Sequence, residues 1–409
     1  MLFFKKVFFK LIPKIKSDES FIDYFCRHLS PAPFFLGIVF GFFFISAAGY
    51  IASQKDIYSD LQRFHFQISP AGYVYPTLEN LIQYVKGKAT SDKKLILVAG
   101  SSISLGVGQS NSSLWTDKLQ EELGNTYAVV NVSFRSLRFS SIGLILLELF
   151  SSQYKTCYVV ADTGPGSALK LLSEKEDYPY DYLAWSFLTG PFFPKNEARK
   201  SDALKGLYSH FEAAMLESRE QFIRAILEKI SNSSNFWNFI GEYYLFTAYS
   251  PINPAGIFFA TRRKNIVDNG SPPPNDNLRL KQLKTNLDPE MKVLYSIARA
   301  ENINERLKEE CKNIKNYVPN KNLRKKVLFL VTIRSPYYLD QLSTQDRTAY
   351  NLSISEWVKL LEQSGFHAIA FGKGYSYQEY ADGAHFSNEG SSSMAKDVAR
   401  EIKKMEYEK

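Results

Sequence analysis

Two short stretches of this chain carry residue types that could do chemistry together, although nearly three hundred residues separate them. One runs Gly100-Ser101-Ser102-Ile103-Ser104-Leu105-Gly106, and the other is Asp382-Gly383-Ala384-His385-Phe386-Ser387-Asn388-Glu389-Gly390. A serine hydroxyl is a poor nucleophile at neutral pH until a base takes its proton. An imidazole serves as that base when a third group holds it in the right tautomer. Asp382 stands three positions before His385, so a single turn can bring carboxylate and ring together. Each stretch also has a plainer reading. Asp382 or Ser387 could cap a helix starting near Gly390. The serine stretch could be a loop closing a strand or an anion-binding turn, although it lacks the Gly-Lys-Ser/Thr ending of a P-loop and the GxGxxG spacing.

Positioning such residues requires strands that end where the loops begin. Lys94 to Ala99 (KLILVA) is a short apolar run with turn signals on both sides, which predicts a buried parallel strand running directly into Gly100. A helix is expected over Ser113–Leu123, a strand over Tyr127–Val132, a helix over Ser140–Phe150 and a third strand over Cys157–Ala161. The pattern then lapses from 167 to 320 into helical and aromatic-rich sequence, read as an insert that caps the core. Its helical stretches are Ser209–Ser231 and Pro289–Lys315. The α/β rhythm resumes with a strand over Lys326–Ile333, a helix over Ser353–Ser364, a strand over His367–Phe371 and a last helix over Gly390–Met405. Alternating strands and helices predict βαβ units on a parallel sheet, whose strand-end loops all open on one edge. Residues 93–166 and 321–409 would then form one α/β domain interrupted by the insert.

The 409 residues include 45% hydrophobic and 22% charged side chains, the balance of a globular protein rather than a disordered one. A formal charge of +8 invites a nucleic-acid reading, but the basic residues lie in scattered clusters such as Arg262-Arg263-Lys264 and Arg324-Lys325-Lys326. No basic stripe interleaved with aromatics and no zinc-finger spacing appears, so no nucleic-acid partner is expected. Cys26, Cys157 and Cys311 are widely spaced and form no CxxC pair, which argues against a disulfide scaffold and a cysteine-based zinc site.

Residues 34–52 (FFLGIVFGFFFISAAGYIA) carry no charge. At about 1.5 Å per residue they could span a hydrocarbon core of about 30 Å as one transmembrane helix. The preceding segment, 1–33, contains Lys5, Lys6, Lys10, Lys14, Lys16 and Arg27, while the following one opens with Lys55, Asp56 and Asp60. That asymmetry places the basic arm in the cytoplasm against membrane lipid, and the main domain outside, beyond a linker and helix over 53–92. A competing reading takes Ser46-Ala47-Ala48 as a signal-peptidase site that releases a secreted protein.

GSSISLG, with Gly100, Ser102 and Gly106, resembles the opening block of the SGNH (GDSL-type) hydrolase superfamily. DGAHFSNEG resembles the closing Asp-x-x-His block, including the trailing glycine and a helix containing Ala395. The resemblance covers the first strand–turn–helix, the strands near Asn131 and Cys157, and the final sixty or so residues; the insert lies outside it. It implies a three-layer α/β/α flavodoxin-like domain with Ser102 as nucleophile, His385 as base and Asp382 as its partner. It implies no metal and no cofactor. The chain departs from the family pattern at three places. Ser101 stands where the family has aspartate, and Ser136 replaces a glycine whose amide holds the oxyanion. The loop Ala161-Asp162-Thr163-Gly164-Pro165-Gly166 lacks the usual asparagine donor, leaving Thr163 as its replacement. Losing such a donor costs about 10²–10³ in rate. The expected oxyanion donors are therefore the amides of Ser102 and Ser136 together with Thr163, and Arg334 and Ser101 are candidate substrate contacts.

By this resemblance the chain looks most like divergent, membrane-anchored members of the bacterial envelope, single-pass in the inner membrane. The expected activity is a serine esterase or O-acyltransferase acting on an acylated envelope glycan or lipid. The alternative is a catalytically degenerate module that binds glycan or scaffolds an envelope complex.

Overall fold

The computed structural model describes residues 78–133, 153–169, 276–318 and 320–407, with 35–41, 43, 44, 47, 62, 63, 67–69, 72, 73, 146, 147, 150 and 151. Its centre is a five-stranded sheet: β1 (Lys94–Val98), β2 (Tyr127–Asn131), β3 (Thr156–Thr163), β4 (Val327–Thr332) and β5 (His367–Phe371). Every neighbouring pair is parallel, and the order across the sheet is β2-β1-β3-β4-β5. β1 therefore sits between β2 and β3, and the chain reverses its direction of travel across the sheet after β2. In open parallel sheets the crevice at such a reversal, at the carboxyl ends of the strands, is where ligands bind.

The strands read as continuous apolar runs because both faces are covered. Leu95 and Leu97 of β1, Cys157, Val159 and Ala161 of β3, and Val327, Phe329 and Val331 of β4 face one core. Ile96, Val98, Tyr158, Val160, Leu328 and Leu330 face the other. The first core is closed by α1 (Leu78–Lys88), α4 (Asp276–Thr285), α5 (Leu287–Ala298), α6 (Ile303–Tyr317) and α7 (Thr344–Gln363). The second is closed by α3 (Trp115–Leu123) and α8 (Gly390–Tyr407). A four-residue helix, α2 (Ser102–Leu105), begins where β1 ends. The chain is thus a mixed α/β protein built on a parallel sheet, with helices on both faces.

Several expected elements take different bounds. The helix expected over 289–315 is two helices, α5 and α6, broken where Asn302 adopts φ 59°. A short polar side chain tolerates that left-handed backbone, which no α-helix can continue through. α7 starts at Thr344, well before the expected Ser353, because Ser343 caps it: its Oγ accepts from Asp346 N at 3.1 Å and donates to Asp346 Oδ2 at 2.7 Å. Helices α4 to α6 come from the stretch read as an insert, yet Leu283, Leu294, Ile297, Leu307 and Ile314 are built into the first core.

Residues 1–34, most of 45–77, 134–145 and 170–275 lie outside the described residues, and with them the basic arm, most of the helix expected over 140–150, and the helix over 209–231. Of the proposed span, residues 35–41, 43, 44 and 47 are described, and they are helical. No helix among the described residues is long and apolar enough to cross a membrane. Cys157 and Cys311 are buried free thiols.

Candidate active site

β1 delivers Ser102 to the carboxyl edge of the sheet as the first residue of α2. β5 leads into the loop that carries Asp382 and His385 to the same edge. The two stretches meet there. His385 Nε2 lies 2.8 Å from Ser102 Oγ, and His385 Nδ1 lies 2.7 Å from Asp382 Oδ2. The geometry fits a tautomer in which Nδ1–H donates to the carboxylate, leaving Nε2 to accept the serine proton. Asp382 Oδ1 also accepts the backbone N–H groups of Ala384 and His385, each at 2.8 Å. Burial pushes the Asp382 carboxyl up, but the charge and hydrogen bond of His385 and these two amides outweigh it and hold the group well below the usual carboxylate range. It is a fixed anion against the ring.

The histidine loop is anchored on every side. Ala381 N–H donates to the His385 carbonyl at 2.8 Å, closing the turn. Phe386 packs among Phe371, Tyr375 and Tyr380, and Tyr380 Oη donates to the Ile333 carbonyl at 3.0 Å. Ser387 Oγ accepts from Gly390 N–H at 3.3 Å at the start of α8. The plainer reading of this stretch as a helix cap thus describes the same loop that holds His385. Asn388 Oδ1 accepts from Ser110 N–H at 2.9 Å, tying the loop to the segment after Ser102.

The turn that carries Ser102 is held from β3. Alternation along that strand turns Asp162 toward the turn and Thr163 toward the face covered by α7. Asp162 is buried; its Oδ1 accepts from Ser101 N–H at 2.8 Å and Ser104 N–H at 3.1 Å, and its Oδ2 accepts the Ser101 hydroxyl. Ser101 Oγ in turn accepts from Ile103 N–H at 3.4 Å. Among the described residues, Ser102 N–H has no acceptor, as befits the first residue of a helix. That leaves it open to an oxyanion. Asn131 fastens the same turn from β2, donating to the carbonyls of Ser104 at 3.3 Å and Leu105 at 3.4 Å.

The other candidate residues are placed as follows. Ser101 is a structural partner of Asp162. Thr163 lies across the strand, where its Oγ1 accepts from Trp357 Nε1 at 3.3 Å. Ser136 lies outside the described residues. Arg334 is partly exposed beside the histidine loop and pairs with Glu290 of α5 at 3.1 Å. A Cβ on Gly383 would meet the carboxylate end of the Glu290 side chain. Glu290 and Asp162 are the residues that sequence reasoning missed. Asp162 left a signal, a charge near the end of an otherwise apolar strand; Glu290 left none. Among the described residues no three His, Cys, Asp or Glu side chains gather as a metal site would require.

No protein-family model matches the chain, and no curated protein matches it either.

Proposed function

We propose that this chain is a membrane-anchored, extracytoplasmic serine esterase or O-acyltransferase acting on an acylated envelope glycan or lipid. Its domain is read as a three-layer, flavodoxin-like fold of the SGNH type. The strand order, with helices on both faces, supports the fold reading. The observation that carries the function is the hydrogen-bonded chain from Ser102 Oγ through His385 to Asp382. In this reading Ser102 Oγ attacks the ester carbonyl carbon while His385 Nε2 takes its proton. The carbonyl oxygen becomes an oxyanion held by the Ser102 amide. Collapse of the intermediate breaks the bond to the alcohol, which leaves with the proton from His385. Water or an acceptor hydroxyl then attacks the acyl-serine with the same base, giving hydrolysis or transfer. A fluorophosphonate reagent should label the full-length protein at Ser102. Labelling is expected to disappear in Ser102→Ala and persist in Ser101→Ala; a wild type that never labels would refute the reading.

A second reading, a glycan-binding module without turnover, is favoured by one observation: the Thr163 hydroxyl is engaged by Trp357 rather than replacing the missing asparagine donor. Glycan binding unaffected by His385→Ala, with no ester cleaved, would select it.

A further inference from the structure

We infer that Asp162 is the positioning residue of the nucleophile, fixing where Ser102 Oγ stands and which amide is left to receive the oxyanion. The inference rests on the serine-esterase reading and deepens it. Its basis is the set of donors that one carboxylate collects: Oδ1 takes the amides on either side of Ser102, those of Ser101 and Ser104, and Oδ2 takes the Ser101 hydroxyl. A four-residue helix cannot hold its own start rigidly, since its first amides have no intrahelical acceptors. Here Ser104 N–H goes to Asp162 and Ile103 N–H goes to Ser101 Oγ, which Asp162 itself orients. Ser102 N–H is the amide of that turn left open among the described residues. Asp162 thus selects one oxyanion donor by occupying its competitors.

The position is built for a carboxylate. A Cβ on Gly100 would strike Asp162 Oδ1, so the chain leaves β1 without a side chain at the point where the carboxylate enters. Asp162 Oδ1 and Oδ2 together accept from three donors, which satisfies a buried carboxyl group.

The test compares inactivation of the full-length protein by a fluorophosphonate across Asp162→Ala and Asp162→Asn, separating the maximal inactivation rate from the reagent's affinity and from the final labelled fraction. Asp162→Ala removes every acceptor, so the turn loses its register; a misplacement on the order of 1 Å lowers the maximal rate by about 10²-fold. Asp162→Asn keeps an oxygen for the two amides and can turn its amide toward Ser101 Oγ. The charge and the acceptor of the Ser101 hydroxyl are lost, and a drop of roughly tenfold is expected. In both, affinity and labelled fraction should match the wild type. A role confined to stability would reduce the labelled fraction and leave the rate alone, which overturns the inference, as do wild-type rates in both variants. If Asp162→Ala does not fold, Asp162→Asn decides: a slower rate at full labelling supports the assignment and a wild-type rate overturns it. A wild type that does not label at Ser102 removes the esterase reading and this inference with it, a result distinct from wild-type labelling that is indifferent to Asp162.

Discussion

Asp382 meets the imidazole of His385 through one oxygen and two backbone amides through the other, so its orientation is set by the protein itself. Its carboxyl is held below the ordinary range, and the sign of the linkage follows. A carboxylate whose folded pKa is depressed contributes stability that is fully present above the unfolded value, about 3.9, and is lost as pH falls through the lower folded value. Asp382→Asn should therefore be less stable than wild type at pH 7, with the difference closing below about pH 4 in denaturant titrations. The same variant should lose about 10³–10⁴ in labelling rate, because an asparagine can favour the wrong imidazole tautomer. Ser102, Asp382 and His385 were legible in the sequence because each lies in a local pattern: a serine after an apolar strand, and a carboxylate three residues before a histidine. Asp162 was visible only as an odd charge, since its partners lie about sixty residues away. Glu290 was invisible, because its partner Arg334 lies in another part of the chain.

At the scale of elements, the five strands of the parallel sheet could be read to within a residue or two because burial on both faces leaves apolar runs between turn signals, whereas the short strands Gln67–Ser69 and Gly72–Tyr73 fall where a linker and helix were expected. The helices of the first core were harder. The early start of α7 depends on Ser343 and Asp346, which are hydrophilic and resemble a loop until the cap is recognised. Asp346 is also clamped by Arg299 at 2.8 and 2.9 Å, joining the start of α7 to the end of α5. Through Glu290, α5 in turn supports the histidine loop, where Ser335 N–H donates to the Gly383 carbonyl at 3.0 Å. Gly383→Ala should make the end of the Glu290 side chain swing aside, disturbing its pair with Arg334 beside the loop, with a loss of labelling rate of no more than about tenfold. Adding Glu290→Ala makes room for the new methyl group, and part of the rate should return. No recovery in the double variant would show that α5 does not set the loop.

For the molecule as a whole, the two cores differ in their relation to the site. The one closed by α3 and α8 reaches it directly: Met394 of α8 is fully buried, and Gln109 Nε2 donates to its sulfur at 3.2 Å while Gln109 Oε1 accepts from Trp115 N–H at 3.0 Å. Met394→Ala should lower stability by about 2–5 kcal/mol in urea unfolding, a cavity in the layer that ties nucleophile and base together. That layer closes late, for a simple reason of chain order. Ser102 precedes His385 by 283 residues. At synthesis rates of about 5–20 residues per second, the serine waits on the order of tens of seconds for its base. Throughout that interval the Ser102 hydroxyl has no imidazole to receive its proton. The hydrogen-bonded chain of Ser102, His385 and Asp382 is therefore assembled only when the last strand and the loop after it have joined the sheet.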